Sequence, residues 1–317
     1  MLVDWKVVSK VQALIEKAKH KGYADEWAEE VQDMHSIFAV LRDEVLDASI
    51  PDNEKVKMLE KVYQLSTAKT NLMIVGATGA GKSSTINAMF NMGRTASEGN
   101  EDKQYWEVAP VGVSVDPETM DIDKYVLGNL VLWDTPGLSD GEAADATHTK
   151  QIRWLLSETD KEGVPLIDLV LVVLDASAKD LGTAYQLINS ILIPALGGEG
   201  SRILVALNQA DIAMHGGQHW DYEQNRPDEV LQDYLEDKVR SIHDRINEST
   251  GLDITPIYYC AGYKEESGEQ MLPYNLAKLL YYIISKIPAE KRVAFADSLN
   301  GDAGYWESGD EGGNYRG

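Results

Sequence analysis

The chain has 317 residues, of which 44% are hydrophobic, so it can hold one globular domain with a smaller unit beside it. It carries 29 Lys and Arg against 52 Asp and Glu, a formal charge of −23, and such a surface is expected to repel nucleic acid and anionic membranes. A single Cys260 excludes an internal disulfide, and the absence of a secretory signal and of an apolar run near the roughly 20 residues that cross a bilayer leads us to expect a cytoplasmic protein.

The first 68 residues are helical in pattern. Apolar residues recur at steps of three and four between Trp27 and Val45, which places them in one stripe on one helix. Shorter apolar patterns around Val11 and Leu59 predict a helix on each side, and Pro51 marks the break before the last one. We expect the stripe to pack within this helical unit and against the domain that follows. The alternative is a face that binds a partner or a second copy.

A glycine-rich loop follows the apolar run 71–75 and precedes a helical segment at 85–90. Its sequence matches the phosphate-binding pattern G-x-x-x-x-G-K-[ST]. Glycines let the backbone N–H groups point inward, and the helix adds its positive N-terminal end, so the loop predicts a cradle for a polyphosphate. We expect Lys82 to reach the terminal phosphates and the Ser83 hydroxyl to ligate Mg²⁺. The predicted nucleotide-binding residues of the loop are Gly76, Ala77, Thr78, Gly79, Ala80, Gly81, Lys82, Ser83 and Ser84.

A second motif, Asp134-Thr-Pro-Gly137, ends an apolar strand at 129–134. The Asp134 carboxylate is expected to hold the metal ion through water, and the Gly137 N–H to touch the terminal phosphate. A plain Pro-Gly turn is the alternative. Before this strand, residues 120–126 are expected to form the first arm of a hairpin whose second arm is 130–134.

Strands and helices alternate through the middle of the chain. The clearest strand is 168–175, which is almost entirely apolar, as a strand buried on both faces must be. Helices are predicted at 183–196, 229–250 and 274–287. This alternation predicts an α/β fold with a doubly wound, mostly parallel sheet.

A third motif, Asn208-Gln209-Ala-Asp211, follows the predicted strand 202–207 and matches the guanine-reading pattern N-K-x-D, with Gln209 in place of Lys. A carboxylate at this position accepts two hydrogen bonds from the ring N–H and the exocyclic amine of guanine, whereas adenine offers the wrong pattern. The motif therefore predicts a guanine nucleotide. The next loop contains His215 and His219, but the glycines between them disfavour a helix that would aim both at one metal ion.

These three motifs, in this order and at this spacing, resemble the P-loop GTPases of the translation-factor-related class. Within it they resemble the Era-like, septin-like and import-receptor-like branches, and above all the bacterial Era-like group labelled 50S-ribosome-binding GTPases. The resemblance covers roughly residues 70–288. It implies a Ras-like fold, binding of GTP and GDP with Mg²⁺, hydrolysis of GTP to GDP, and a conformational switch.

The predicted organisation has three parts. A helical N-terminal region spans 1–68, and the GTP-binding domain spans 69–290. The tail 291–317 is acidic and rich in glycine, and it contains too few aliphatic residues to bury a core, so we expect it to be disordered unless a partner binds its aromatic residues.

The resemblance implies two more nucleotide contacts. The threonine that ligates Mg²⁺ in the GTP state stands before the second strand of the family, which assigns the role to Thr119, with Thr95 as the competitor. The last family motif falls on Cys260-Ala261, after the predicted strand 255–259, with Cys in place of the usual Ser. The Ala261 N–H is then expected to face the guanine carbonyl oxygen.

The catalytic positions depart from the family pattern. Ras-type enzymes orient the attacking water with a Gln directly after the D-x-x-G glycine, where this chain has the apolar Leu138. Relatives activated by K⁺ use an Asn at the fourth loop position, where this chain has Gly79. We therefore expect slow intrinsic turnover, sustained by the loop, Lys82 and Mg²⁺ and accelerated by a dimer or a partner. Candidates for the missing group, each expected to be an ordinary surface residue, are Arg94, Asp140, Glu142 and His148.

Three hypotheses about function follow. The leading one is a GTP-hydrolysing molecular switch whose helical region or switch loops engage a protein partner or a second copy. The alternative is a GTP-dependent assembly or scaffold protein, septin-like or dynamin-like, in which hydrolysis is incidental. The third is a P-loop ATPase or small-molecule kinase, which would leave Asn208 and Asp211 without a purpose.

Overall fold

The computed structural model describes residues 41, 44–91, 122–127, 129–138, 142–161, 163–214, 219–262, 273–288 and 291–292. Most of the predicted N-terminal stripe and nearly all of the tail lie outside these residues. So do four of the residues to which a role was assigned: Arg94, Thr95, Thr119 and Asp140. No helix in the described ranges is long and apolar enough to cross a membrane.

Helices and strands alternate along the described chain. The strands are β1 (Thr70–Gly76), β2 (Asp123–Leu127), β3 (Leu130–Asp134), β4 (Leu169–Asp175), β5 (Ile203–Asn208), β6 (Trp220–Asp221), β7 (Arg226–Pro227) and β8 (Ile257–Tyr258). The helices are α1 (Asp52–Thr67), α2 (Lys82–Asn91), α3 (Glu142–Ser157), α4 (which begins with Gly182–Gln186), α5 (Glu229–Thr250) and α6 (Leu276–Lys286).

Six of the strands form one sheet in the order β2-β3-β1-β4-β5-β8. The pairs β3 with β1, β1 with β4, β4 with β5 and β5 with β8 are parallel. Only β2 runs antiparallel, because it forms a hairpin with β3 in which Leu127 lies opposite Leu130. The strand order and directions confirm the predicted doubly wound, Ras-like α/β fold.

The hydrophobic core lies on both faces of the sheet. Alternate residues of β1 point to opposite sides, so Met73 and Val75 contact one cluster while Leu72 and Ile74 contact the other. Buried residues of α3, α4 and α5 complete the first cluster, and those of α2 and α6 complete the second. The central strands are therefore apolar on both faces, which is why β1 and β4 could be predicted from unbroken apolar runs.

Helix α4 differs from its prediction. The apolar pattern predicts a uniform α-helix, but the helix changes to π-helical geometry over Leu187–Leu192 before the last turn, Ile193–Ala195. Within the wider turn, the carbonyl of Ser190 accepts a hydrogen bond of 2.7 Å from Arg153 of α3. This contact between two helices is tertiary, so no local pattern could predict it.

Helix α1 begins after a bend at 48–50, where Pro51 caps it, in agreement with the predicted break. In this helix Val62 is buried, whereas Val56 is 53% exposed. Since residues 1–40 are not described, the domain boundary at 68 stays a prediction.

The parallel strands fix the position of the site. Residues that follow the carboxyl ends of β1, β3, β5 and β8 meet at one edge of the sheet, which is where ligands bind in open α/β folds. All three sequence motifs, together with Cys260 and Ala261, lie at these strand ends.

Candidate functional site

The glycine-rich loop runs from the end of β1 to the start of α2 and leaves no room for side chains at two of its glycines. A Cβ on Gly76 would lie 2.3 Å from the carbonyl oxygen of Val173, and one on Gly81 would lie 2.1 Å from Asn208 Nδ2. Gly81 also has a φ of +86°, in the left-handed region that favours glycine. The glycines thus allow β4 and β5 to approach the backbone of the loop closely.

Lys82 is the first residue of α2 and is only 8% exposed. Its Nζ lies 3.4 Å from the carbonyl oxygen of Gly76 and 3.3 Å from that of Ala77, so the ammonium group is held inside the loop. A buried ammonium group in a glycine-rich loop at the N-terminus of a helix is an arrangement that attracts phosphate. Whether it contacts the terminal phosphates, as the sequence predicts, remains a prediction.

The residues predicted to hold the metal ion meet at the ends of β3 and the loop. Ser83 Oγ donates a hydrogen bond of 3.0 Å to Asp134 Oδ2. The other oxygen, Asp134 Oδ1, is buried and has no hydrogen-bond partner among the described residues. Burial raises the pKa of Asp134 to about 6, although the charge of Lys82 and the hydrogen bond from Ser83 act to lower it. A buried carboxylate oxygen without a partner, next to a hydroxyl, is a donor set that fits Mg²⁺.

The segment after Asp134 lies directly on the phosphate loop. Leu138 N donates to the carbonyl oxygen of Gly76 at 3.2 Å, and Thr78 N donates to the carbonyl oxygen of Leu138 at 3.0 Å. A Cβ on Gly137 would lie 2.1 Å from Thr78 Oγ1 and 2.8 Å from Thr78 N. The two segments are therefore packed as closely as backbone allows, with Leu138 only 5% exposed.

His148 corrects the expectation of an ordinary surface residue. It is 4% exposed, and its Nδ1 lies 3.1 Å from the carbonyl oxygen of Gly137. Since a carbonyl only accepts, Nδ1 carries the proton and donates. Sequence reasoning missed this role because a single histidine on an amphipathic helix gives no sign of its tertiary neighbour. Glu142, another candidate, begins α3.

At the other end of the site, Asn208 links two loops. Its Nδ2 donates to the carbonyl oxygen of Ala80 at 3.1 Å, and its Oδ1 accepts from Ala261 N at 3.0 Å. Gln209, which replaces the family's Lys, adopts the left-handed conformation with a φ of +62° and donates from Nε2 to the carbonyl oxygen of Gly79 at 2.9 Å. The base-reading motif is thus bonded directly to the phosphate loop.

Asp211 is 6% exposed and accepts a contact of 3.1 Å from Cys260 Sγ. Burial and the neighbouring Asp211 carboxylate raise the pKa of Cys260 well above its ordinary value, so the thiol stays protonated and donates. The Ala261 N–H, which was expected to face guanine, donates to Asn208 Oδ1. A guanine carbonyl oxygen would have to share or replace that bond.

The structure brings the predicted loop, Asp134, Gly137, Asn208, Asp211, Cys260 and Ala261 together at one sheet edge. It also adds two buried residues that were not among the predicted site residues, Thr85 and Tyr259, whose hydroxyl oxygens lie 2.6 Å apart. In the loop after Asp211, His219 Nδ1 bonds Asp228 Oδ2 at 2.7 Å. Among the described residues, no cluster of three or more His, Cys, Asp or Glu side chains could hold a metal ion.

A comparison with known protein families covers part of the site. Residues 71–209 match a family model described as 50S ribosome-binding GTPase. This segment contains the phosphate loop, Asp134 and Asn208. No curated protein matches the chain.

Several solved structures resemble it at low identity. One is Toc33 from Arabidopsis thaliana in complex with Mg²⁺ and GMPPNP, 16% identical over 79% of this chain and 96% of that one, with a TM-score of 0.45. A GTP-binding protein from Sulfolobus solfataricus in complex with GDP is 16% identical over 87% of this chain and 65% of that one, with a TM-score of 0.39. LeoA, a bacterial dynamin GTPase from ETEC, is 14% identical over 88% and 45%, with a TM-score of 0.40. These three structures are too dissimilar to support a conclusion about the function of this chain.

Proposed function

We propose that this P-loop GTPase, a hydrolase that binds GTP or GDP with Mg²⁺, acts as a molecular switch whose moving part is the segment 134–138. The observation that carries the proposal is the pair of backbone hydrogen bonds between Leu138 and the phosphate loop, one to Gly76 and one from Thr78. The backbone N–H of Thr78, in the predicted phosphate loop, thereby donates to a carbonyl oxygen of the segment 134–138. A terminal phosphate that enters the loop beside Gly137 must therefore change this contact.

The segment is bonded to β1 at its start and to the phosphate loop at its end. Thr135 donates from both N and Oγ1 to the carbonyl oxygen of Ile74, at 3.3 and 2.9 Å, so the segment leaves β3 from a fixed point. At Gly137 there is no spare volume against Thr78. His148 holds the Gly137 carbonyl oxygen, so a displacement of this glycine is passed to α3. The terminal phosphate and α3 are in this way coupled through one peptide group.

We infer slow intrinsic turnover. Leu138 is apolar and buried at the position where a polar side chain would orient the attacking water. His148 Nδ1 is occupied by the Gly137 carbonyl oxygen. Phosphoryl transfer depends mainly on positioning and electrostatic stabilisation, and a group supplied in trans can raise such a rate by several orders of magnitude. A protein partner or a second copy is thus the expected source of stimulation, through the switch loops or the helical region.

The partner is expected to be a protein rather than ribosomal RNA. With 52 acidic against 29 basic residues the chain repels a phosphate backbone. The resemblance to the Era-like subclass therefore supports the GTPase chemistry of this proposal. It does not lead us to expect that the chain binds RNA. A filter-binding assay with ribosomal RNA at physiological salt should show no retention, and tight retention with a steep salt dependence would contradict this part of the proposal.

Hydrogen exchange tests the switch directly. The full chain is loaded with Mg²⁺ and either GDP or a non-hydrolysable GTP analogue, and exchange is followed by mass spectrometry. Peptides that cover residues 134–157 should exchange at different rates in the two states, while β4, which lies in the core, should not change. Identical exchange in both states across 134–157 would remove the basis of the proposal.

Gly137→Ala provides the matched variant. Its methyl group cannot fit against Thr78, so the segment should stay off the loop and exchange equally fast with either nucleotide. Gly182→Ala is the control, because Gly182 is an exposed glycine whose added Cβ would meet only the Asp180 carboxylate, at 3.1 Å. It should keep the nucleotide-dependent difference.

Sedimentation separates the switch from the assembly alternative. A chain that is monomeric with GDP and with the GTP analogue supports a switch that acts on another protein. Self-association only with the GTP analogue, with turnover that rises with protein concentration, supports stimulation by a second copy. Filaments whose formation does not require turnover would favour the scaffold alternative.

A further inference from the structure

A buried hydrogen bond in the core joins the phosphate-loop half of the site to the base-reading half. The hydroxyl oxygens of Tyr259 and Thr85 lie 2.6 Å apart, and neither residue is exposed. Thr85 stands in the first turn of α2, directly after the phosphate loop, and Tyr259 directly precedes the Cys260-Ala261 motif. The bond thus connects the phosphate loop to the base-reading loop within the core.

The direction of this bond follows from the number of protons. Thr85 Oγ1 donates its proton to the carbonyl oxygen of Gly81, 2.8 Å away. A hydroxyl has only one proton, so Tyr259 must be the donor to Thr85. Burial raises the pKa of Tyr259 far above its ordinary value, which keeps the donor protonated. The chain Tyr259 to Thr85 to Gly81 therefore has one orientation.

The backbone of Tyr259 holds the other half of the site. Its N–H donates to the carbonyl oxygen of Leu207 at 2.8 Å, and its carbonyl oxygen accepts from Ala210 N at 3.2 Å. Ala210 lies inside the base-reading motif, between Gln209 and Asp211. One residue thus bonds β5, the base-reading motif and, through Thr85, the phosphate loop.

We propose that Tyr259 is a positioning residue that sets the spacing between the phosphate loop and the base-reading carboxylate of Asp211, and thereby sharpens the preference for guanine over hypoxanthine nucleotides. A nucleotide contacts both ends at once, so an error in their spacing weakens whichever contact is most demanding in geometry. That contact is the one to the exocyclic amine, because hydrogen bonds lose strength steeply with misalignment. Asn208 and Gln209 also tie the two halves together, so the contribution of Tyr259 is partial.

This inference goes beyond the switch, because it concerns the binding of any guanine nucleotide. It rests on Asp211 as the base reader. Inosine diphosphate differs from GDP only by lacking the exocyclic amine, so the ratio of the two dissociation constants reports on the contact that Asp211 makes. A change in that ratio is not produced by a general loss of stability.

Calorimetric titration of the full chain with GDP and with inosine diphosphate, both with Mg²⁺, tests the inference. Tyr259→Phe removes the hydroxyl and nothing else. It should raise the Kd for GDP by about 3- to 10-fold, the scale of one lost hydrogen bond, and shrink the preference for GDP over inosine diphosphate by about threefold. Thr85→Val should act in the same direction, and the double variant should be little worse than Thr85→Val alone, because both changes break one connection.

Two controls sharpen the result. Tyr282→Phe removes the hydroxyl of a partly buried tyrosine, one that donates to the carbonyl oxygen of Thr255 at 2.9 Å rather than to a residue of the phosphate loop. It should lower Tm without changing either Kd. Thr85→Ser keeps the hydroxyl and should bind GDP as the wild type does.

The inference is overturned if Tyr259→Phe behaves like Tyr282→Phe, with a lower Tm, an unchanged Kd and an unchanged preference. Should Tyr259→Phe not fold, Thr85→Val decides, and an unaltered preference in that variant overturns the inference as well. A wild-type protein that binds GDP and inosine diphosphate equally would overturn the assignment of Asp211, and the inference with it, while leaving the exchange test of the switch intact.

Discussion

At the phosphate end of the site, two loop carbonyl oxygens hold the buried ammonium group of Lys82, and an Asp134 oxygen has no partner in the described chain. At the base end, Asn208 and Asp211 already hold partners within the protein. The phosphate end thus contains a buried cation and a carboxylate oxygen without a described protein partner, whereas the base-end side chains are bonded to the protein. From this difference we expect phosphates and Mg²⁺ to supply most of the binding energy and the base end to supply selectivity.

The largest effect should come from the phosphate end. Lys82→Ala removes the ammonium group that the loop holds at Gly76 and Ala77, so GTP affinity should fall by about 100-fold or more, the scale of a buried charged contact. Equilibrium dialysis with labelled GTP measures it. Lys150→Ala, a change at an exposed lysine of α3, is the control. A Lys82→Ala protein that is folded and still binds GTP tightly would contradict the description of the loop as a phosphate cradle.

At the base end, a substitution should change which nucleotide the protein prefers. Asp211→Asn replaces a double acceptor by an amide, so GTP affinity should fall by about 10- to 100-fold while xanthosine triphosphate, whose carbonyl suits an amide donor, should bind better. Competition between the two nucleotides measures the change. Asp233→Asn, on the exposed face of α5, should leave the preference unaltered. An unchanged base preference in Asp211→Asn would refute the assignment of the base reader.

The smallest expected effect is a change in the free energy of unfolding. The pKa of Asp134 is about 6 in the fold, above its ordinary value of 3.8, so the ionised carboxylate is penalised in the folded state. The stability of the metal-free protein should therefore fall as pH rises from about 4 to about 6 and stay low above that range. Asp134→Asn removes the penalty and should stabilise the metal-free, nucleotide-free protein by about 1–3 kcal/mol at pH 7.

Urea unfolding at pH 4, 5 and 7 checks this prediction, with Asp233→Asn again as the control. The advantage of Asp134→Asn should vanish near pH 4. With Mg²⁺ and GDP present the order should reverse, because the amide is a poorer ligand for the metal ion. A gain in stability that does not depend on pH would rule out the buried charge as its cause.

Much of the fold followed from local pattern. Helix α5 matches its predicted bounds, 229–250, because Asp228 caps its start by accepting from Leu231 N, and Gly251 ends it with a φ of +71°. β1 and β4 were recognisable because burial on both faces requires unbroken apolar runs. The three motifs predicted which strand ends form the site, since parallel strands place their carboxyl ends at one edge.

The features that could not be predicted are tertiary contacts between residues distant in sequence. The burial of His148 depends on the position of Gly137, and the bond between Tyr259 and Thr85 joins residues 174 positions apart. Neither His148 nor Tyr259 belongs to a repeating sequence pattern, and neither lies within one of the three motifs. The π-helical turn of α4 is of the same kind, since it accompanies a contact with Arg153 on another helix.

The Asp134 oxygen that has no partner in the described chain also links the stability of this protein to the occupancy of its site. An empty site contains a buried charge that the fold tolerates poorly, whereas occupancy at a hundred times Kd adds about 2.7 kcal/mol to stability. Such a difference changes the unfolded fraction about a hundredfold, and proteases act on that fraction. Proteolysis of the purified protein should consequently slow when guanosine phosphates and Mg²⁺ occupy the site.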